Sequence, residues 1–564
     1  MLRGPGPQLW MRSSSRGAKI GRAYPTAHHI DGRASGGRPL HFGLHPCHRP
    51  CLRAKAAQSG LAELPLPEGS LGLPVVGETL ELITNGDTFG TSRRERYGDV
   101  YKTNILGAPT VMVYGEDAVR AVLAAEDRLV ASDWPQVTST LVGPDSLNLL
   151  TGPRHGAVKR ALSDAFADRA LRRHVPAIAE LVQDYVTGWA AGPQPTAGFE
   201  SCQLLSQAVF DRVVLGGAGS RDRAAQLQAV MSALQAGFNT PPVQLPFTAY
   251  GKAVAARQEF GQLVSQSIQR SRQHTAASAT VSVSPSSAPA FDCAMSDVVA
   301  AAAAAAATGT ALPDSLLVDN AAAAFFGNAS TGPSLAKALQ HLATNAAGPN
   351  GGATGGVMAA LRQEQQDIVS RHGPAITAEA LDEMSYGTAV ARELLRITPA
   401  VPAVFRLALV DFELQGRRIP KGWRVWCHVG DSVTRYNKDQ FQPERWLGSS
   451  GSSTSTTGTA GDSTAAAATT GGAAAAGAVA AGGCPMHAGG GGAARGAQPE
   501  YSLPFGSGVR TCLGRNLVMT ELLVVLAVLA RGYEWEAVNP AEQWGVVPSP
   551  APKEGLRVRL HRRL

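Results

Sequence analysis

Near the C-terminus the chain reads Phe505-Gly506-Ser507-Gly508-Val509-Arg510-Thr511-Cys512-Leu513-Gly514. Cys512 stands just before residues 515–531, whose apolar spacing predicts a helix. At a helix start, orphan backbone N–H groups point outward and the helix dipole favours negative charge. Both effects favour thiolate over thiol, and thiolate is the form that binds iron. Gly506 and Gly508 permit a tight turn whose amides can face the sulfur, and Gly514 leaves room for something flat across the helix start. Phe505 can shield the sulfur from water, and Arg510 can pair with a carboxylate. A cysteine taken alone is more often a core residue. Bracketed by glycines, with Arg two positions before and Phe seven before, Cys512 is a specific signal.

Three other groups carry chemistry. Glu393 and Arg396 lie three apart on one helical face, an arrangement that alone reads as a solvated pair worth about 0.2–0.5 kcal/mol. His155 and Lys159, at i and i+4 after Gly152, share one face and can reach one anionic group together. Phe326-Gly327-Asn328-Ala329-Ser330-Thr331-Gly332-Pro333 lies in a long helical pattern. Pro333 has no backbone N–H, so this helix should kink near Ser330 or one turn before it.

The cysteine segment matches, at every fixed position, the haem-binding signature Phe-x-x-Gly-x-Arg-x-Cys-x-Gly of the cytochrome P-450 family, which the chain resembles from about residue 64 to 560. The resemblance implies haem b as cofactor, Cys512 as axial ligand to its iron, and Phe505, Gly508 and Gly514 as part of its seat. By family position Arg406 and Arg510, with His155 and Lys159, become the partners of the haem propionates. Arg445, in Phe441-Gln442-Pro443-Glu444-Arg445-Trp446, would complete a buried structural network with Glu393 and Arg396. Segments such as Asp133-Trp134-Pro135, Leu141-Val142-Gly143-Pro144-Asp145 and Phe405-Arg406 look like the retinoic-acid-hydroxylase branch and its cyanobacterial relatives, within the sterol-related clan. The implied fold is mainly α with a small β region, a triangular helical prism around a buried haem.

That resemblance implies a monooxygenase using dioxygen and two electrons from a ferredoxin or a flavin reductase. The loop 131–150 should line the entrance, where Leu141, Val142 and Leu147 favour an apolar isoprenoid, retinoid-like or sterol-like substrate. One position departs from the pattern. The family's central helix carries Ala/Gly-Gly-x-Asp/Glu-Thr-Thr, whereas here Ser330 takes the place of the first threonine, beside Thr331, and Ala329 replaces the acid. Either Asn328 and water substitute for it, giving a leakier oxygenase, or the enzyme isomerises or cleaves hydroperoxides without a reductase. A non-catalytic haem sensor or carrier is a reading from another class, prompted by Cys484-Pro485-Met486-His487.

The elements that must position these groups read mostly helical: 116–125, 153–171, 176–190, 223–237, 314–344, 377–397 and 514–531, with strands at 99–104, 109–114, 404–414 and 423–428. Residues 273–309, 345–356 and 447–498 are low in large apolar side chains and read as solvated insertions, the first partly helical through its alanines. Residues 1–60 hold ten of the 51 bases and one of the 44 acids, Asp31, leaving 41 bases against 43 acids in the domain 61–564. The basic excess therefore belongs to the leader, and a nucleic-acid binder is excluded. Its Arg/Ser/Ala-rich, acid-poor make-up suits a transit peptide to a chloroplast, or alternatively a mitochondrion. Cys47, Cys51, His45 and His48 there lack a folded scaffold for zinc. Seven scattered cysteines fit a reducing compartment. No run of 18 apolar residues predicts a transmembrane anchor, which leaves at most a peripheral membrane contact; a monomer is expected.

Overall fold

Pro333 sits in the third position of a helix, where a missing N–H costs nothing because the first four are orphans. Its ring cannot bond back to the Ala329 carbonyl, and the central helical stretch is accordingly interrupted at Ala329–Ser330. The computed structural model describes residues 58–563 apart from 106, 239, 281–291, 308–311, 344–354, 400, 431–439, 448–502 and 546–549. Helices of eight or more residues are α1 (Gly86–Tyr97), α2 (Glu116–Leu123), α3 (Gly152–Ser163), α4 (Val175–Ala191), α5 (Gly198–Phe210), α6 (Arg221–Phe238), α7 (Ala249–Thr280), α8 (Ala294–Ala307), α9 (Asp314–Asn328), α10 (Thr331–His341), α11 (Gly355–His372), α12 (Ser385–Ile397) and α13 (Arg515–Gly532).

The β region is small and mixed. Its main sheet joins β1 (Glu68–Gly69), β2 (Val100–Ile105), β3 (Ala108–Val113), β4 (Val130–Ser132), β5 (Val404–Ala408) and β6 (Arg424–Cys427) in the order β1-β2-β3-β6-β5-β4. Pairing is antiparallel except for β1 with β2 and β3 with β6. The mainly helical class with a small β region therefore holds, but three smaller sheets of three, two and two strands stand beside the main one, and 404–414 divides into β5 and a separate hairpin strand, Phe412–Leu414.

One apolar core runs through the helices, with α13 contributing Leu522, Val525, Leu526 and Leu529, and a second lies under the sheet around Val111, Val119 and Val425. Leu503, just before the cysteine segment, is buried in that second cluster. Residues 292–307 correct the reading of 273–309 as an insertion. Cys293, Met295, Val298, Val299 and Ala302 are buried in the main core, and α8 packs on α7 and α3. Alanine is the best helix former and here also fills close helix contacts. Residues 1–57 of the leader, most of 345–356 and all but Leu447 of 447–498 lie outside the described residues, as do Cys484 and His487.

The two faces of α8 give a direct test. Ala302 is buried and Ala303 exposed, so Ala302→Asp should destabilise by about 2–4 kcal/mol through an unpaired buried carboxylate, and Ala303→Asp by less than about 0.5 kcal/mol. Thermal unfolding of the two variants reads the difference. Equal effects would restore the insertion reading.

Candidate active site

The cysteine segment is held by its own backbone. Cys512 N–H donates to the Phe505 carbonyl at 2.9 Å, Thr511 N–H to Gly508 at 3.2 Å, and Gly506 N–H to Leu503 at 2.9 Å. Gly508 has φ +72° and packs on the end of α2, where a Cβ would fall 2.7 Å from the Leu123 carbonyl oxygen. Glycine is the only residue type that meets both demands. Phe505 is half-buried against the main core.

Cys512 is exposed, and the N–H groups that reach its sulfur are those of Gly514 and Arg515 at the start of α13, not those of the glycine turn. The expectation of a depressed thiol pKa is corrected. Crowding by protein atoms pushes the thiol above its ordinary value, outweighing the Gly514 N–H, the Lys159 charge and the Arg515 N–H. A Cβ on Gly514 would meet only the Cys512 sulfur, at 4.0 Å, and one on Gly506 or Gly327 would meet nothing within 4 Å. A flat group thus has room beside the sulfur, and the residues fit a haem.

The cations are placed differently from a set of free propionate partners. Lys159 Nζ donates to the carbonyls of Val509 and Thr511 at 2.6 and 2.8 Å, clamping α3 to the cysteine segment. Burial, with Arg510 and Lys159 nearby, lowers His155 to about 4. With protein groups alone around it His155 is neutral near pH 7, a state in which its ring can still donate one N–H. Arg406 Nε donates to Glu126 at 2.6 Å, and Arg510 Nε pairs with the same carboxylate. Arg510 also donates to the carbonyls of Leu147 at 2.9 Å and Leu150 at 2.6 Å. Glu126 gave no sequence signal, because its partners lie 280 and 384 residues away.

The structural network forms as the resemblance implied. Glu393, fully buried, accepts two bonds from Arg396 at 2.8 Å, one from Arg445 Nε at 3.1 Å, and one each from Trp446 Nε1 and the Gln442 N–H at 2.8 Å. Together these hold its carboxyl below the usual range despite burial, which pushes the other way.

At the helix interruption, Ser330 Oγ donates to the Gly327 carbonyl at 2.8 Å, while Thr331 Oγ1 is buried without a hydrogen-bond partner. The unengaged hydroxyl is thus that of Thr331, not Ser330. Asn328 is turned away from both: its amide donates to the Ser206 carbonyl at 3.3 Å and Gln207 Oε1 at 3.4 Å. It borders a small cleft with Gln203, Ser206, Gln207, Gln228 and Ala329. Gln207 donates on to Gln228 at 3.2 Å, and Gln228 to Ser232 at 3.4 Å on the exposed side of α6. Where a carboxylate was expected, the walls are neutral amides.

A family model described as Cytochrome P450 matches residues 67–552. The chain belongs to the cytochrome P450 family. It is 29% identical over 528 residues to Cytochrome P450 26C1 of Homo sapiens, covering 90% of this chain and 91% of that protein. It is 26% identical to Abscisic acid 8'-hydroxylase 2 of Arabidopsis thaliana, covering 88% and 90%. The fold is similar, with a TM-score of 0.68, to a cyanobacterial CYP120A1 solved with retinoic acid bound, at 24% identity over 89% of this chain and all of that one. This P450 is a monooxygenase with haem as its cofactor, and it works with a substrate, dioxygen and a redox partner. Among the described residues no helix is long and apolar enough to cross a membrane.

In this P450 the loop 142–150 is stitched to the central helix. Asp319 on α9 accepts the Asp145 N–H at 3.0 Å and Arg257 Nη2 from α7 at 2.8 Å, and Asn320 accepts the Leu147 N–H at 2.9 Å. Gly143, at φ +120°, is required because a Cβ would fall 2.0 Å from the Asp319 carboxyl carbon. Sequence spacing offered no hint of these partners.

Two outcomes follow from this geometry. Glu393→Ala would leave Arg396 buried without a counter-ion and should cost about 3–5 kcal/mol and haem retention, read by urea unfolding and the haem absorbance. His155 has a folded pKa of about 4, below the unfolded value of about 6.5. The unfolded state therefore binds more protons between those values, and stability falls as pH drops through that window. His155→Gln should flatten this part of the pH–stability curve; an unchanged slope between pH 7 and 4 would count against a neutral buried imidazole.

Proposed function

We propose that this P450 hydroxylates an apolar isoprenoid of the retinoid or apocarotenoid type, with Cys512 as the thiolate ligand of the haem iron. The carrying observation is the similarity along 88% of the chain to a plant hydroxylase named for abscisic acid. Motifs shared with the retinoic-acid-hydroxylase branch and the apolar residues of the entrance loop support it. When bound, the haem supplies the dioxygen activation that oxidises a C–H bond, using electrons from a ferredoxin or a flavin reductase. The chain does the rest. Gly514 and Arg515 N–H groups steady the Cys512 sulfur. The stitched loop 142–150 excludes water and closes on the apolar ligand. Ser330 and Thr331 order water at the helix interruption, and the amide-lined cleft beside Ala329 supplies it from the solvent side. Residues 1–60 serve as the import signal, to a plastid in the first reading. A reporter fused to 1–60 that stays in the cytosol would defeat that assignment.

Spectral titration of the purified protein with retinoic acid, abscisic acid, sterols and fatty-acid hydroperoxides tests the substrate class. A retinoid or apocarotenoid is expected to shift the haem spectrum and to be hydroxylated only with an electron donor. Turnover confined to hydroperoxides, without a donor, would overturn the reading. Cys512→Ala should abolish the carbon monoxide absorption diagnostic of thiolate ligation.

The missing acid makes a further outcome measurable. Ala329→Asp places a carboxylate in a cleft whose Gln207 and Gln228 amides can hydrogen-bond it. Product formed per electron should rise relative to wild type, at some loss of stability from the buried charge. Equal coupling in both proteins would show that cleft water already suffices.

A further inference from the structure

Glu126 is a buried carboxylate that the proposed mechanism leaves unused. Its side chain is 2% exposed and lies between two guanidinium groups, those of Arg406 on β5 and Arg510 on the cysteine segment, which are 6% and 10% exposed. It also accepts the Ser132 N–H at 3.1 Å. Two guanidinium groups this far from water repel strongly and converge only around an anion. Arg406 is further fixed by donating to the Phe405 carbonyl at 2.8 Å. The nearby groups do not replace Glu126: Asp127 is engaged by the Gly152 N–H at 2.9 Å, Lys159 by two carbonyls, and His155 is neutral.

We infer that Glu126 is a positioning residue for the cofactor: it aims Arg406 and Arg510 together at the haem carboxylates and cancels one of their two charges, so setting the reduction potential of the iron. This rests on the assignment of the two arginines to the propionates. Two uncancelled positive charges would favour the reduced, more electron-rich haem. With Glu126 between them the pair contributes one net charge. The same carboxylate holds Arg510 in the geometry from which it binds the Leu147 and Leu150 carbonyls, so the entrance loop and the cofactor share a single anchor.

The test is the reduction potential of the haem-loaded protein, by dye-coupled spectral titration, in Glu126→Gln and Glu126→Asp. Gln keeps the shape and removes the charge; its potential should shift to more positive values. Asp keeps the charge and should stay near wild type. If the Gln variant fails to retain haem while the Asp variant retains it, the charge role stands. An unchanged potential in Glu126→Gln, or loss of haem in both variants, overturns it. Arg406→Gln separates the underlying assignment. If Arg406 faces a propionate, this variant binds haem more weakly and shifts to a more negative potential. If it leaves both unchanged, the propionate assignment itself has failed.

Discussion

A carboxylate removed from water must be surrounded by donors, and in this chain that requirement draws distant segments into one site. Glu393 gathers α12 and the turn Pro443–Trp446. Glu126 gathers β5, the end of α2 and the cysteine segment. Asp319 gathers α7, α9 and the entrance loop. Each replaces a hydration shell by directed N–H groups, so the gain depends on geometry more than on charge count. The apolar cores supply compaction. The buried carboxylates decide which loops meet.

The helix interruption shows the opposite kind of constraint, set by a group that is missing. Without the Pro333 N–H, the helix cannot run through Ala329 and Ser330. The break leaves Thr331 with an unsatisfied buried hydroxyl and directs Asn328 into a cleft of glutamines. Amides donate and accept but do not titrate near neutral pH, so they can align water without exchanging protons themselves. The cleft beside the central helix is thus polar without an ionisable group among its lining residues.

Local chemistry was legible in the sequence; partnership across the fold was not. The cysteine segment and the kink at Pro333 could be read because each depends on residues a few positions apart, whereas the Glu393 network was legible only through the family resemblance, its partners Arg445 and Trp446 lying 52 and 53 residues away. The helix α7 escaped notice because much of its buried stripe is small, with Ala253, Ala256, Ser267 and Ser271 among Phe260, Leu263 and Ile268. The helix α8 was hidden inside an alanine tract that reads as low complexity, although Met295, Val298 and Val299 carry its core face. Glu126 and Asp319 look like ordinary surface acids until tertiary structure supplies their partners.

The chain on either side of residues 448–502 is tied down independently. Trp446 is bonded to Glu393 before this stretch, and Leu503 is buried under the sheet after it. For a segment joining two fixed points, the loop-closure cost grows only as the logarithm of its length, by about 0.6 kcal/mol for each doubling. A run of glycine, alanine, serine and threonine can lengthen or shorten between those anchors at little cost to the register of the cysteine segment.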